Sequence, residues 1–178
     1  MTLIGFGCYG LAAWLVGNET FAMLNFCIVA AAAAFLLFNL YPARIFMGDV
    51  GAISLGFLAA AFGLLGWTNG LWSLWFPLLV FSPFIADASV TLAKRCLRRE
   101  KIWQAHREHY YQRLVQSGFG HHNTALFGYV LMLAAGASAV WSAWQNSIIQ
   151  LGVGAAWCGV YLVMMLSFDR HWRRHNIG

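Results

Sequence analysis

Charged residues are the scarcest feature of this sequence. Only 10% of its 178 residues are Asp, Glu, Lys or Arg, and 61% are hydrophobic; an ordinary soluble domain carries roughly a quarter charged and about half apolar. So little polar material cannot cover a surface that faces water, which excludes a soluble enzyme, a disordered chain and a small secreted module. Proline is rare too, with three residues, and no Pro- or Ser-rich linker divides the chain. The four cysteines, Cys8, Cys27, Cys96 and Cys158, contain no CxxC pair. Three lie in apolar runs, so they are read as buried small hydrophobes, not as a disulfide framework or a zinc site. Two adjacent aspartates occur nowhere in the chain.

What is present is length of apolar sequence. The runs 3–16, 21–38, 50–67, 72–93, 124–144 and 148–168 approach or reach the roughly 20 residues that cross a bilayer as helix, the one local structure that satisfies its own backbone there. They predict an all-α, polytopic transmembrane bundle of about six spans, one membrane domain over residues 1–178, with an amphipathic helix in a surface loop. The net charge of +5 is then a matter of membrane sidedness and not of nucleic acid. All eleven Lys and Arg lie in loops 39–49 and 94–123 or in the tail, and the alternate loops carry Glu19 as their one charge. The positive-inside rule makes the long loops and the C-terminus cytoplasmic, with Trp67, Trp72, Trp75, Trp141 and Trp144 as an interfacial belt at the opposite ends. The first run is short, interrupted by Gly5, Gly7 and Gly10, and lacks the basic flank of a signal peptide. A weak or tilted first helix and a chain that begins partway through a span both fit it.

Three places could carry chemistry. In the loop Asn39-Leu-Tyr-Pro-Ala-Arg-Ile-Phe-Met-Gly-Asp49, Pro42 disfavours helix at Tyr41, so the second span ends near Asn39 and Asp49 opens the third. Asp49 can be a helix cap, or a carboxylate at the membrane surface that holds Mg²⁺ together with substrate phosphates. Asp87 lies inside an apolar run, seven residues before Lys94. Such an ionisable group either pairs with another helix or lines a wet cavity. In the loop after it, 101–117 reads as the amphipathic helix, with Gly118 as its stop and His106, His109 and Arg113 on one face. That face suits either anionic lipid headgroups or a diphosphate. A zinc site from His106, His109, His121 and His122 is a poor alternative, because no paired cysteines support it.

Taken in order, these residues resemble one family, the polyprenyl-phosphate N-acetylhexosamine-1-phosphate transferases, which include phospho-N-acetylmuramoyl-pentapeptide transferase and O-antigen-initiating glycosyltransferases of family 4. Residues 38–51, Phe-Asn-Leu-Tyr-Pro-Ala-Arg-Ile-Phe-Met-Gly-Asp-Val-Gly, resemble its N-x-x-P-A-x-x-F-M-G-D-x-G motif. Pro83-Phe-Ile-Ala-Asp87 is similar to the next segment, and His109-Tyr-Tyr-Gln-Arg-Leu114 to its H-x-H-H-R-L element, with Tyr111 and Gln112 in place of two histidines. The resemblance implies Mg²⁺-dependent transfer of a sugar-1-phosphate from a UDP-N-acetylhexosamine derivative to polyprenyl phosphate, in cell-envelope or O-antigen polysaccharide synthesis at the bacterial inner membrane. It implies Asp49 as metal ligand and, with His109, as catalytic; Asn39 and Arg113 as substrate-binding; membrane lipid as surroundings; and a homodimer in some members. His106, from its shared face with His109 and Arg113, and Asp87, from its place inside an apolar run, are candidate substrate-binding residues beside them. The family's adjacent aspartates are absent here, so the likeness places the chain at the C-terminal half and predicts a truncated form with little activity alone. The alternative is a non-catalytic membrane module or a small transporter subunit.

Overall fold

The computed structural model describes residues 1–40, 42–100 and 109–176, apart from the side chains of residue 171 and residues 173–176. Among the described residues every regular element is helical. In chain order these are α1 (Thr2–Leu15), α2 (Glu19–Asn39), α3 (Gly48–Thr68), α4 (Trp75–Val80), α5 (Ser82–Leu97), α6 (Tyr110–Leu114), a π-type segment Val115–Phe119, α7 (His121–Ser142) and α8 (Ser147–Asn176). Among the described residues, four helices are long and apolar enough to cross a membrane: α2, α3, α7 and the Ser147–Arg170 part of α8. The protein is a multi-pass membrane protein.

The other two of the six expected runs, 3–16 and 72–93, are not single long helices. α1 has 14 residues, about 21 Å of helix, against a hydrocarbon core of about 30 Å. Run 72–93 is not one helix. Phe81 ends α4 at φ −97°, ψ 8°, Ser82 donates its hydroxyl back to the Leu79 carbonyl oxygen at 2.7 Å, and Pro83 lies in the first turn of α5, where a missing N–H costs little. Hydropathy cannot register this break, because the residues at it are mostly apolar.

The core sits at the end of the bundle away from the Lys and Arg residues. α1 is its centre: Phe6, Tyr9, Ala12 and Ala13 are buried against Phe21, Trp72, Phe76, Phe81 and Ala139. Tyr9 stacks on Trp72 with ring centroids 5.1 Å apart and donates its hydroxyl to the Ala59 carbonyl oxygen at 3.1 Å. Trp72 in turn donates its Nε1–H to the Gly63 carbonyl oxygen at 3.1 Å. This seating needs glycine at 66, where a Cβ would stand 2.0 Å from the Trp72 ring. The short first run is therefore the most enclosed element and not a weak one.

Two further expectations change. Trp72 is a core residue, while Trp67, Trp75, Trp141 and Trp144 are exposed. Cys27, Cys96 and Cys158 are exposed and so are not buried packing residues, whereas the half-buried Cys8 packs against the core beside Gly136. At the basic end the packing thins. Leu37 and Phe38 of α2 and Val50, Ile53 and Phe57 of α3 all face outward.

Candidate functional site

Asn39 is the last residue of α2. Its side-chain amide donates to the Ile45 carbonyl oxygen at 2.9 Å, and the Arg44 N–H donates to the Phe38 carbonyl oxygen at 2.8 Å. These two bonds fold the chain back towards α3. Gly48 then adopts φ +64°, a left-handed conformation natural to glycine, and Asp49 follows in the first turn of α3. Asp49 does not cap the helix, whose start carries no side-chain hydrogen bond. It is exposed, and among the described residues it makes no hydrogen bond or ion pair.

Asp87 is placed very differently. Its Oδ1 accepts the backbone N–H of Tyr110 at 2.8 Å and the Thr91 hydroxyl at 3.4 Å, while Oδ2 lies 3.6 Å from Nδ1 of His109. Tyr110 is the first residue of α6, and the residue before it, His109, provides no side-chain cap. Asp87 thus satisfies a free helix-start N–H from a different helix, the task an N-cap side chain usually performs locally. His109 stacks on Tyr111 with centroids 5.8 Å apart.

The far end of α6 is held by a second carboxylate, which the sequence reading did not single out. Asp169 of α8 pairs with Lys94 Nζ and lies 3.5 Å from Nη1 of Arg113. Lys94 also donates to the Tyr110 hydroxyl at 2.5 Å. Both cations lie over the Tyr110 ring, Lys94 at 5.0 Å and Arg113 at 5.7 Å from its centroid, and Trp172 lies 5.8 Å from the Arg113 guanidinium carbon. Lys94 shares the Asp87 face by spacing, but its carboxylate partner is Asp169. The sequence signal for Asp169 is slight: it is the last acid of the chain, beside Arg170.

Behind this cluster runs an apolar cavity of about 250 Å³, lined in part by Pro83, Asp87, Tyr110, Tyr111, Phe127 and Phe168. A larger one of about 540 Å³ follows α4, α5 and α8 towards the opposite end, past Ser82, Ala86, Gln150 and Cys158. Tyr161 lines both cavities, its hydroxyl 2.6 Å from that of Ser82.

The structure thus brings Asp87, His109 and Arg113 together around Tyr110 and keeps Asn39 with the Asp49 loop. Among the described residues no hydrogen bond or ion pair joins the two groups. His106 lies outside the described residues, as does the first part of the expected amphipathic helix, 101–108; of 101–117, helix is seen from Tyr110 onward, and Gly118 at φ +89° interrupts the π-type segment. No group of three His, Cys, Asp or Glu side chains among the described residues could hold a metal. Asp49 can give Mg²⁺ one ligand, which is less than a site, since that ion keeps near-octahedral coordination.

Comparison with known proteins gives the geometry its context. Residues 1–67 match glycosyl transferase family 4. A probable undecaprenyl-phosphate N-acetylglucosaminyl 1-phosphate transferase of Bacillus subtilis is 26% identical over 168 residues, 93% of this chain and 44% of that protein. A phospho-N-acetylmuramoyl-pentapeptide-transferase of Lactobacillus delbrueckii subsp. bulgaricus is 30% identical over 167 residues, 92% of this chain and 44% of that protein. One from Prochlorococcus marinus is 47% identical over a shorter stretch of 70 residues, 36% of this chain and 18% of that protein. The chain therefore spans less than half the length of these relatives. No solved structure matches it. Over residues 1–67 the chain is thus similar to the glycosyl transferase family 4 proteins, and over most of its length to part of these phospho-sugar transferases.

Proposed function

We propose that this chain is the part of a phosphoglycosyltransferase that carries the Asp49 loop and the His109–Arg113 segment. The reaction is transfer of a sugar-1-phosphate from a UDP-N-acetylhexosamine derivative to polyprenyl phosphate. An oxygen of the lipid phosphate forms a new bond to the β-phosphorus of the UDP-sugar, the bond from that phosphorus to the bridging oxygen breaks, and UMP leaves. Catalysis of phosphoryl transfer is mostly positioning and neutralisation of charge. The observation that carries the reading is the pairing of sequence and place. A loop closed by Asn39 sets the lone, solvent-facing Asp49 at a helix start, within the segment that matches the family.

In this reading His109, Lys94 and Arg113 form the cationic side of the nucleotide diphosphate site, with His109 and Arg113 as its donors, and the cavity beneath Tyr110 and Phe168 receives the first part of the lipid chain. Mg²⁺, when bound, neutralises phosphate charge. The residues described here fit one ligand of that ion, Asp49, and not a complete site, so no step is derived through it. Lys- and Arg-bearing loops and the C-terminus face the cytoplasm of a bacterial inner membrane, where a soluble UDP-sugar meets a lipid acceptor, and the bundle associates as a homodimer.

The test is incorporation of radiolabelled UDP-N-acetylglucosamine into chloroform-soluble product with undecaprenyl phosphate in vesicles. This chain alone is expected to turn over at background. A longer protein that contains it is expected to make lipid-linked product with Mg²⁺ and to lose it on Asp49→Asn. Wild-type rates in that variant would remove Asp49 from the site.

A further inference from the structure

Among the described residues, two cations and one carboxylate converge on the Tyr110 ring, and that arrangement has a consequence for the segment it holds. Tyr110 is buried, and Lys94 and Arg113 both lie within 6 Å of its centroid. Asp169 touches all three: it pairs with Lys94, stands 3.5 Å from Arg113 Nη1, and its two oxygens lie 3.4 Å from the Tyr110 hydroxyl. Its side chain is 23% exposed and that of Arg113 is 12% exposed, so solvent screens the cluster only partly. Lys94 belongs to α5, Tyr110 and Arg113 to α6, and Asp169 to α8. At the other end of the same five-residue helix, Asp87 receives the Tyr110 N–H and faces His109.

We infer that Asp169 is a positioning residue: it holds Lys94 and Arg113 together on Tyr110 and thereby keeps the His109–Arg113 segment closed against α5, with His109 facing Asp87. Without its charge, Lys94 and Arg113 lose the carboxylate that touches both of them on the Tyr110 ring. The segment then opens at Arg113 and carries His109 away from Asp87. Removing one partner of a charged, partly buried cluster is more damaging than the net worth of the cluster suggests, because the remaining charges lose their compensation. The consequence for ligand binding rests on the reading of this segment as the diphosphate contact; the closure of the segment does not.

The experiment uses the whole chain in lipid nanodiscs, with two measurements on each variant. One is the rate of tryptic cleavage after Arg113, followed by mass spectrometry. The other is equilibrium binding of uridine diphosphate. Asp169→Asn is expected to be cleaved about tenfold faster and to bind about tenfold more weakly, the change that corresponds to about 1.4 kcal/mol. Asp169→Glu keeps the charge and should stay near wild type in both. The double exchange Lys94→Asp with Asp169→Lys restores a pair between α5 and α8 and should recover the thermal midpoint. It should recover neither protection nor binding, because Arg113 then meets a cation. Wild-type cleavage in Asp169→Asn would overturn the inference, and so would full recovery of protection in the double exchange, which would make Asp169 a helix staple only. If the wild-type chain binds no uridine diphosphate but Asp169→Asn still opens the segment, the positioning role stands and the nucleotide reading falls.

Discussion

Two aspartates illustrate how one side chain serves opposite ends. Asp87 is enclosed, bonded to the Tyr110 N–H and faced by His109, so it contributes to stability whatever else it does. Asp87→Ala should destabilise the protein by about 1–3 kcal/mol, the cost of leaving a buried donor without its acceptor. The effect should be visible as faster amide exchange at residues 110–114. Asp49 is exposed and makes no such bonds among the described residues, so Asp49→Asn should leave the stability within about 0.5 kcal/mol of wild type. A lost activity with intact folding is the signature of a residue kept for chemistry. Both aspartates were legible in the sequence because a carboxylate in or beside an apolar run is conspicuous. Asp169 was not. Its partner Lys94 lies 75 residues away, and beside Arg170 it looks like ordinary surface charge. Arg113 was legible as a cation on a basic face, but its neighbours Tyr110, Trp172 and Asp169 could only come from the fold.

At the scale of elements, hydropathy gave the membrane helices and missed what interrupts them. A continuous apolar run reads the same whether it is one helix or two, so the break at Phe81 between α4 and α5 left no trace in the pattern. The burial of Trp72 was equally hidden, because a tryptophan near a loop suits both a membrane interface and a core. What decides is Gly66, which lets the indole approach the helix axis of α3. Gly66→Ala is expected to cost about 1–3 kcal/mol through overpacking, read as a lower thermal midpoint in detergent. The helical class was written in composition; the seating of α1 at the centre of the core was not, since its shortness and glycines suggested weakness. Two of those glycines, Gly5 and Gly10, let Phe81 and Phe26 close on it.

For the whole molecule, exposure becomes a test of placement. Cys27 and Cys158 are exposed in the apolar lengths of α2 and α8, whereas Cys96 stands near the end of α5 between Arg95 and Leu97. A membrane-impermeant maleimide applied to reconstituted protein should therefore modify Cys96 from the side of the basic loops and spare the other three. Modification of Cys96 from the opposite side would reverse the sidedness read from the charge distribution. The outward-facing Leu37, Val50, Ile53 and Phe57 must be covered by lipid or by protein in the working assembly.

The five-residue helix at the basic end is gripped by acids from two different helices, α5 and α8. The stretch of α8 suited to the bilayer, Ser147–Arg170, has 24 residues, about 36 Å of length, and such a rod leans further as the hydrocarbon layer thins. A lean that lowers Asp169 by a few ångströms relative to α5 and α6 draws it off Lys94 and Arg113. The shape of a water-facing loop is in this way tied to the thickness of the oil beneath it.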